Sequence, residues 1–196
     1  MDNFYLWFTT GVGHITDFEG YDHMLFLLAL CGVYSIHQWK SLLVLVTAFT
    51  IGHSLTLALS VLDILSINTK LVEFLIPITI LSTCIYNIYN RNTIQSGNFK
   101  ANYWMALFFG LIHGLGFSTL LKSLLGSQRN ILSPLFAFNT GIEAGQLIIV
   151  TTIVLFSLFL TSIFRIRKSV FNVVISVAVS GIALMLAAQR FYDLIH

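Results

Sequence analysis

Several apolar stretches of this 196-residue chain approach or exceed the roughly 20 residues that an α-helix needs to cross a bilayer. The stretches are continuous rather than alternating, which argues against a membrane β-barrel. Only 9% of the residues are charged, whereas a soluble domain carries roughly 25%. The sequence therefore predicts an all-α, polytopic membrane helix bundle that forms a single domain over residues 1–196.

The apolar stretches predict about six membrane helices. They cover residues 22–35, 41–62, 71–89, 102–125, 131–164 and 169–189. Residues 2–13 are aromatic and end in glycine, which is typical of a short interfacial or half-inserted helix. The first span is short for a bilayer and begins with polar residues. We therefore expect residues 14–23 to be partly sunk into the protein.

The placement of lysine and arginine predicts the orientation, because basic residues concentrate in cytoplasmic loops. One set of loops holds six of them: Lys40, Arg91, Lys100, Arg165, Arg167 and Lys168. The opposite side holds four: Lys70, Lys122, Arg129 and Arg190. We expect a multi-pass protein of the inner (cytoplasmic) membrane, with its N-terminus outside.

The segment from Gly13 to His23 carries two histidines and three carboxylates at the start of an apolar helix. An ionisable group inside a membrane is costly and usually faces a cavity or a partner. We therefore expect His14, Asp22 and His23 to hold a divalent metal. Asp22 and His23 point about 100° apart on a helix, so Asp22 is either a ligand or the residue that orients a ligand histidine.

Three later spans each carry one polar residue at a similar depth, namely His53, His113 and Glu143. Imidazole and carboxylate ligands suit a divalent transition metal such as Ni, Zn or Co. We predict that these residues complete the site in the outer half of the bilayer, although a single membrane histidine also fits a hydrogen bond between helices. The expected supporting residues are Asn139, Gln146 and Ser54. His37 and His196, in a loop and at the terminus, are left out.

Four motifs of the chain resemble those of the HupE/UreJ family of small membrane proteins, in its second, broader branch. They are His14 with Asp22-His23, Phe49–Leu57, Gly110–Phe117 and Phe138–Gln146. Family members encoded with hydrogenase or urease genes are regarded as nickel permeases, so the resemblance implies divalent-metal handling. Seven residues separate His14 from Asp22, a longer spacing than in the hydrogenase-linked members. Their later His-Gly-x-Glu motif is also absent after His113.

Two main functions stay open at this stage, beside a third and weaker one, a structural or accessory subunit in which the metal only holds helices together. The first is a permease for a nickel-like ion, in which the N-terminal ligands capture the ion and His53, His113 and Glu143 hold it. The second is an intramembrane, zinc-type metal-dependent hydrolase of a lipid or peptide. Its general base would be Glu143 or Asp22, and Ser54 would position the substrate. The inner halves of the second, fourth and fifth spans are nearly all apolar, which counts against the permease.

The sequence also limits the partners. A metal ion and the lipid bilayer are expected, together with a lipid or peptide substrate if the protein is an enzyme. The net charge of +2 gives no indication of nucleic-acid binding. An oligomer is compatible with the sequence, which does not specify one.

Overall fold

The computed structural model describes residues 2–17, 20–90, 99–125 and 131–196. Its α-helices are α1 (Asp2–Thr16), α2 (Asp22–Cys31), α3 (Trp39–Val61), α4 (Thr69–Tyr89), α5 (Phe99–Leu125), α6 (Leu132–Ile163) and α7 (Lys168–Ile195). A 3-10 turn at Ile36–Gln38 leads into α3. Within the ranges described there is no strand, so the predicted all-α fold is confirmed. Arg91 and Arg129, used above for the orientation, lie outside these ranges.

Five helices, α3 to α7, are long and apolar enough to cross a membrane. The predicted membrane bundle and its multi-pass character are therefore confirmed. The first predicted span is α2, which has ten residues. At 1.5 Å per residue this helix is about 15 Å long, half of the roughly 30 Å of a hydrocarbon core. The orientation and the choice of the inner membrane stay predictions.

The end of α2 is held by polar side chains of other helices. Asn87 Nδ2 of α4 donates to the Ala29 carbonyl oxygen at 2.7 Å. Lys168 Nζ, at the start of α7, donates to the Tyr34 carbonyl oxygen just beyond α2. Backbone groups inside a bilayer must find partners within the protein, so these donors allow a short helix to end among the longer ones. Helix α2 packs on α4, α6 and α7.

Helices α3 and α5 run parallel and cross with their backbones in close contact. A Cβ atom on Gly52 would lie less than 3.0 Å from the Leu107 carbonyl oxygen, and one on Gly110 would lie as close to the Phe49 carbonyl oxygen. Real Cβ atoms do not approach so closely, so glycine is required at both positions. Each helix carries one predicted histidine ligand beside this crossing.

Helices α1 and α6 also run parallel and form a second crossing of this kind. A Cβ atom on Gly11 would lie less than 3.0 Å from the Phe138 carbonyl oxygen, and one on Gly141 would lie as close to the Phe8 carbonyl oxygen. Helix α1 contains residues 14–16 in addition to the predicted residues 2–13. Its last turn therefore carries His14 into the bundle.

The two crossings run in opposite directions. Leu43 of α3 and Leu155 of α6 border one surface groove. Farther along α3 and earlier along α6, the ring centroids of His53 and Phe138 are 6.5 Å apart. Helices α3 and α6 are therefore antiparallel. Since α5 runs parallel to α3 and α1 runs parallel to α6, the two pairs point in opposite directions.

Candidate metal centre

Four of the six histidines of the chain meet inside the bundle, each from a different helix. The ring centroids of His14 and His23 are 4.9 Å apart, and those of His23 and His113 are 4.5 Å apart. His53 joins on the other side, with its ring centroid 6.1 Å from that of His14. We call these four residues the histidine cluster.

The imidazole rings of the histidine cluster are buried and incompletely hydrogen-bonded. His23, His53 and His113 are 5%, 0% and 2% exposed. The Nε2 atoms of all four histidines, and also Nδ1 of His53, are buried without a hydrogen-bond partner. A buried polar group left unpaired costs roughly 1–3 kcal/mol. A cation bound by these nitrogens would offset that cost.

Two of the imidazole rings, those of His23 and His113, are each oriented by a contact at Nδ1. Asp22 Oδ1 lies 3.0 Å from His23 Nδ1 and accepts a hydrogen bond from the His23 backbone N–H at 2.8 Å. His113 Nδ1 lies 3.3 Å from the Phe109 carbonyl oxygen. When a carboxylate or carbonyl holds one nitrogen of a metal-binding histidine, the other nitrogen is the ligand. This arrangement therefore makes Nε2 the candidate ligand atom of both histidines.

Asp22, His23 and His113 each offer a ligand atom, and these atoms all lie within 4.8 Å of one another. Two imidazole nitrogens and one carboxylate oxygen suit a divalent transition metal. His14 and His53 adjoin this group and supply further nitrogens. The donor set therefore fits the predicted ion, and Asp22 is placed both to ligate it and to orient His23.

Glu143 lies apart from that group, on the side of α6 that faces α3. Its half-buried carboxylate accepts a hydrogen bond from the Thr47 hydroxyl at 2.7 Å. One turn later, Gln146 Oε1 accepts a hydrogen bond from the Thr50 hydroxyl at 2.9 Å, and Gln146 Nε2 is buried without a partner. Both side chains thus tie α6 to α3, and the role of Glu143 as a metal ligand stays a prediction.

The other predicted supporting residues lie around His53. Asn139 is close enough to interact with the His53 ring, and its buried Oδ1 has no hydrogen-bond partner. Ser54 donates to the Thr50 carbonyl oxygen of its own helix at 2.6 Å. Asn139 is therefore placed to support the histidine cluster, whereas the hydroxyl of Ser54 is used within α3.

A cleft of about 60 Å³ adjoins Asp22 between α4 and α7. Glu73 Oε2 accepts a hydrogen bond from Arg190 Nη1 there at 2.7 Å, and the Asp22 side chain is 28% exposed. At the level of the sequence, Arg190 was used only for the orientation and was not paired with Glu73. The signal that could have paired them is one charge near the start of α4 and an opposite charge near the end of α7, because antiparallel neighbours bring those ends together.

A comparison with protein families supports the resemblance seen in the motifs. The family model described as HupE / UreJ protein, HupE_UreJ_2, matches residues 1–191. No curated protein and no solved structure matches the chain.

Proposed function

The chain belongs to the HupE / UreJ family, and we propose that it is a membrane permease for a divalent transition metal, nickel or cobalt in the first place. The family is associated with the transport of these two metals. The observation that carries the proposal is the set of four buried Nε2 atoms without partners, contributed by four helices.

The chemistry of the site favours a soft or borderline cation. Imidazole nitrogens bind nickel and cobalt well, whereas magnesium and calcium prefer oxygen ligands. Four neutral imidazoles leave the double charge of the ion uncompensated in a medium of low dielectric constant. Asp22 supplies one negative charge at the histidine cluster, and Glu143 supplies a second on the neighbouring face of α6.

The close packing of the rings supports one shared site rather than successive stations. His14, Asp22 and His23 come from the N-terminal segment, which we expect to capture the ion. His113 lies with its ring centroid 4.5 Å from that of His23, so an ion captured there is already in contact with the residues expected to hold it. Asn139 and Gln146 support this site from α6.

The hydrolase hypothesis has less to support it. The family assignment supports nickel and transport but does not support zinc as the bound metal. The Ser54 hydroxyl, expected to position a substrate, donates to the Thr50 carbonyl oxygen. Glu143, one of its two candidate bases, accepts a hydrogen bond from Thr47. Asp22, the other candidate base, is paired with His23.

Uptake of radioactive nickel or cobalt into proteoliposomes, with metal analysis of the purified protein, tests the proposal. We expect uptake by the wild type, and a fall in metal affinity of more than about tenfold for His23→Ala and for His113→Ala, because supporting residues alone are worth 10–100-fold. His37→Ala is the matched control, since His37 is exposed in the turn before α3. A wild type that binds and transports neither metal would overturn the proposal, and retained zinc without flux would favour the hydrolase.

A further inference from the structure

We propose that Phe26, Phe49 and Phe109, here called the phenylalanine layer, form the closed barrier of the ion path. The inference rests on the proposed permease function. In this proposal the phenylalanine layer separates the histidine cluster from a second polar region on the far side of the bundle. The layer then sets the rate at which the ion leaves the cluster.

The phenylalanine layer lies one helical turn from the histidine cluster on three helices. Phe26 follows His23 on α2, whereas Phe49 and Phe109 precede the histidines of α3 and α5. Helix α2 is antiparallel to the other two, because the start of α5 meets the end of α2 where Asn102 Nδ2 donates to the Tyr34 hydroxyl. All three phenylalanines therefore lie on the same side of the cluster.

The three rings pack on one another in the core of the bundle. Phe26 and Phe109 are stacked, with ring centroids 3.4 Å apart and planes within 9°. Phe49 completes the layer, with its ring centroid 5.8 Å from that of Phe26 and 6.1 Å from that of Phe109. Each side chain is at most 1% exposed.

The layer is in direct contact with the candidate ligands. The ring centroids of Phe109 and His113 are 4.1 Å apart and their planes differ by 22°. The centroid of Phe49 lies 5.9 Å from that of His53 and 6.3 Å from that of His23. An ion leaving the cluster in this direction meets the phenylalanine rings first.

Beyond the layer the bundle becomes polar again. Asn102 and Tyr34, which are 3% and 4% exposed, share a hydrogen bond of 2.6 Å. Asn87 caps α2 nearby, and Asn172 Oδ1 on α7 is buried without a partner. Asn102 lies about 16 Å from His113 along α5, at 1.5 Å per residue. Buried polar side chains at this depth usually face a cavity, a pathway or one another.

The two sides of the histidine cluster therefore differ in access. On one side a cleft ends at Asp22, whose carboxylate is paired with His23, whereas the phenylalanine layer closes the other side. An apolar constriction of this kind stops a hydrated ion, because water leaves it and the ion would have to cross bare. Transport then requires the rings to move apart.

Phe26→Ala is the sharpest test, because the Phe26 ring packs on both other phenylalanines. The rings of Phe49 and Phe109 also pack on histidines of the cluster, so their removal would disturb the candidate ligands directly. We expect the metal content of the protein to stay within about twofold of the wild type and nickel flux into proteoliposomes to rise at least about tenfold. Phe171→Ala, a buried phenylalanine of α7 outside the layer, is the matched control and should leave flux unchanged. Phe26→Leu keeps the site apolar without a ring and should give a smaller rise.

The native Cys31 provides a second readout that needs no metal. It is fully buried beyond the layer, near Tyr34. In a Cys84→Ala background it is the only thiol of the chain. A small water-soluble thiol reagent, added on the side of the Asp22 cleft, should label Cys31 faster in the Phe26→Ala variant than in the protein that keeps Phe26.

The outcomes separate this inference from the proposed function. A wild type that transports, with flux and labelling unchanged in both Phe26 variants, overturns the barrier and leaves the permease intact. A wild type without metal binding or flux overturns the permease, while Cys31 labelling still reports on the barrier. A loss of metal content in Phe26→Ala, with flux no higher in Phe26→Leu, would make the layer a support of the site and refute its role as a barrier.

Discussion

The α3/α5 crossing and the α1/α6 crossing are built in the same way but bring different side chains to the site. In both pairs each glycine faces the carbonyl oxygen of the residue three positions before the glycine of the partner helix. The α3/α5 pair carries His53 and His113. The α1/α6 pair carries His14 with the amides and the carboxylate of α6. The same packing thus serves one pair that carries two histidines of the cluster and another that combines one histidine with the amides and carboxylate of α6.

The two helix pairs run in opposite directions, an arrangement that is also found in secondary transporters. Many secondary transporters are built from halves of inverted topology, with the substrate site between them. Here the histidine cluster lies between two crossings that run in opposite directions, and His14 from one pair meets His53 from the other. The residues that allow close backbone packing are therefore separate from the residues that face the histidine cluster.

The largest expected effect comes from removing a ligand of one pair and, separately, an amide of the other. His53→Ala should lower nickel affinity at least about 100-fold, whereas Gln146→Leu should lower it about tenfold or less, because a group that acts through its neighbours matters less than a ligand. Isothermal titration of the detergent-solubilised protein measures both. Equal losses would show that the two halves contribute ligands alike.

Substitution at the glycines tests whether the two crossings are equivalent. Gly52→Ala and Gly11→Ala each force a Cβ atom against a backbone carbonyl oxygen, and we expect each to lower the free energy of unfolding by about 1–3 kcal/mol. Gly13→Ala is the matched control, because a Cβ atom there meets nothing within 4 Å. Denaturant unfolding gives the comparison. A marked difference between Gly52 and Gly11 would break the equivalence.

The smallest expected effect concerns the contact between the pairs. Thr50→Val removes the hydrogen bond from the Thr50 hydroxyl to Gln146 between α3 and α6. Hydrogen bonds between membrane helices are worth about 0.6 kcal/mol on average and up to about 1.7. The free energy of unfolding of Thr50→Val should therefore fall by a value in this range. Thr152→Val removes a hydroxyl that bonds within its own helix and serves as the control. No difference between the two variants would mean that the pairs hold together without this bond.

The sequence was sufficient to predict the long helices and the meeting of the four histidines. The prediction of a span at residues 41–62 corresponds to α3 at Trp39–Val61, because apolar length decides where a membrane helix lies. Matching depth was also enough to bring His53 and His113 into one cluster with the N-terminal histidines. Depth along a helix follows from residue count alone.

Rotation about a helix axis could not be predicted. Glu143 was chosen for its depth, and its carboxylate accepts a hydrogen bond from Thr47 of α3, a contact that depth alone does not specify. The inner halves of the second, fourth and fifth predicted spans read as nearly all apolar, yet Asn102 near the start of α5 belongs to a buried polar region with Tyr34. Those residues lie near helix ends, where only the folded arrangement shows that they face inward.

The α1/α6 crossing also limits when α1 can pack in its final position during synthesis. Gly11 packs on Phe138, a contact between segments about 130 residues apart, which is non-local by any measure of contact order. At ~5–20 residues per second, the N-terminal helix waits roughly 10 s before its partner has even been made. His14 therefore takes its final place late. The histidine cluster is therefore complete only after α6 has been made.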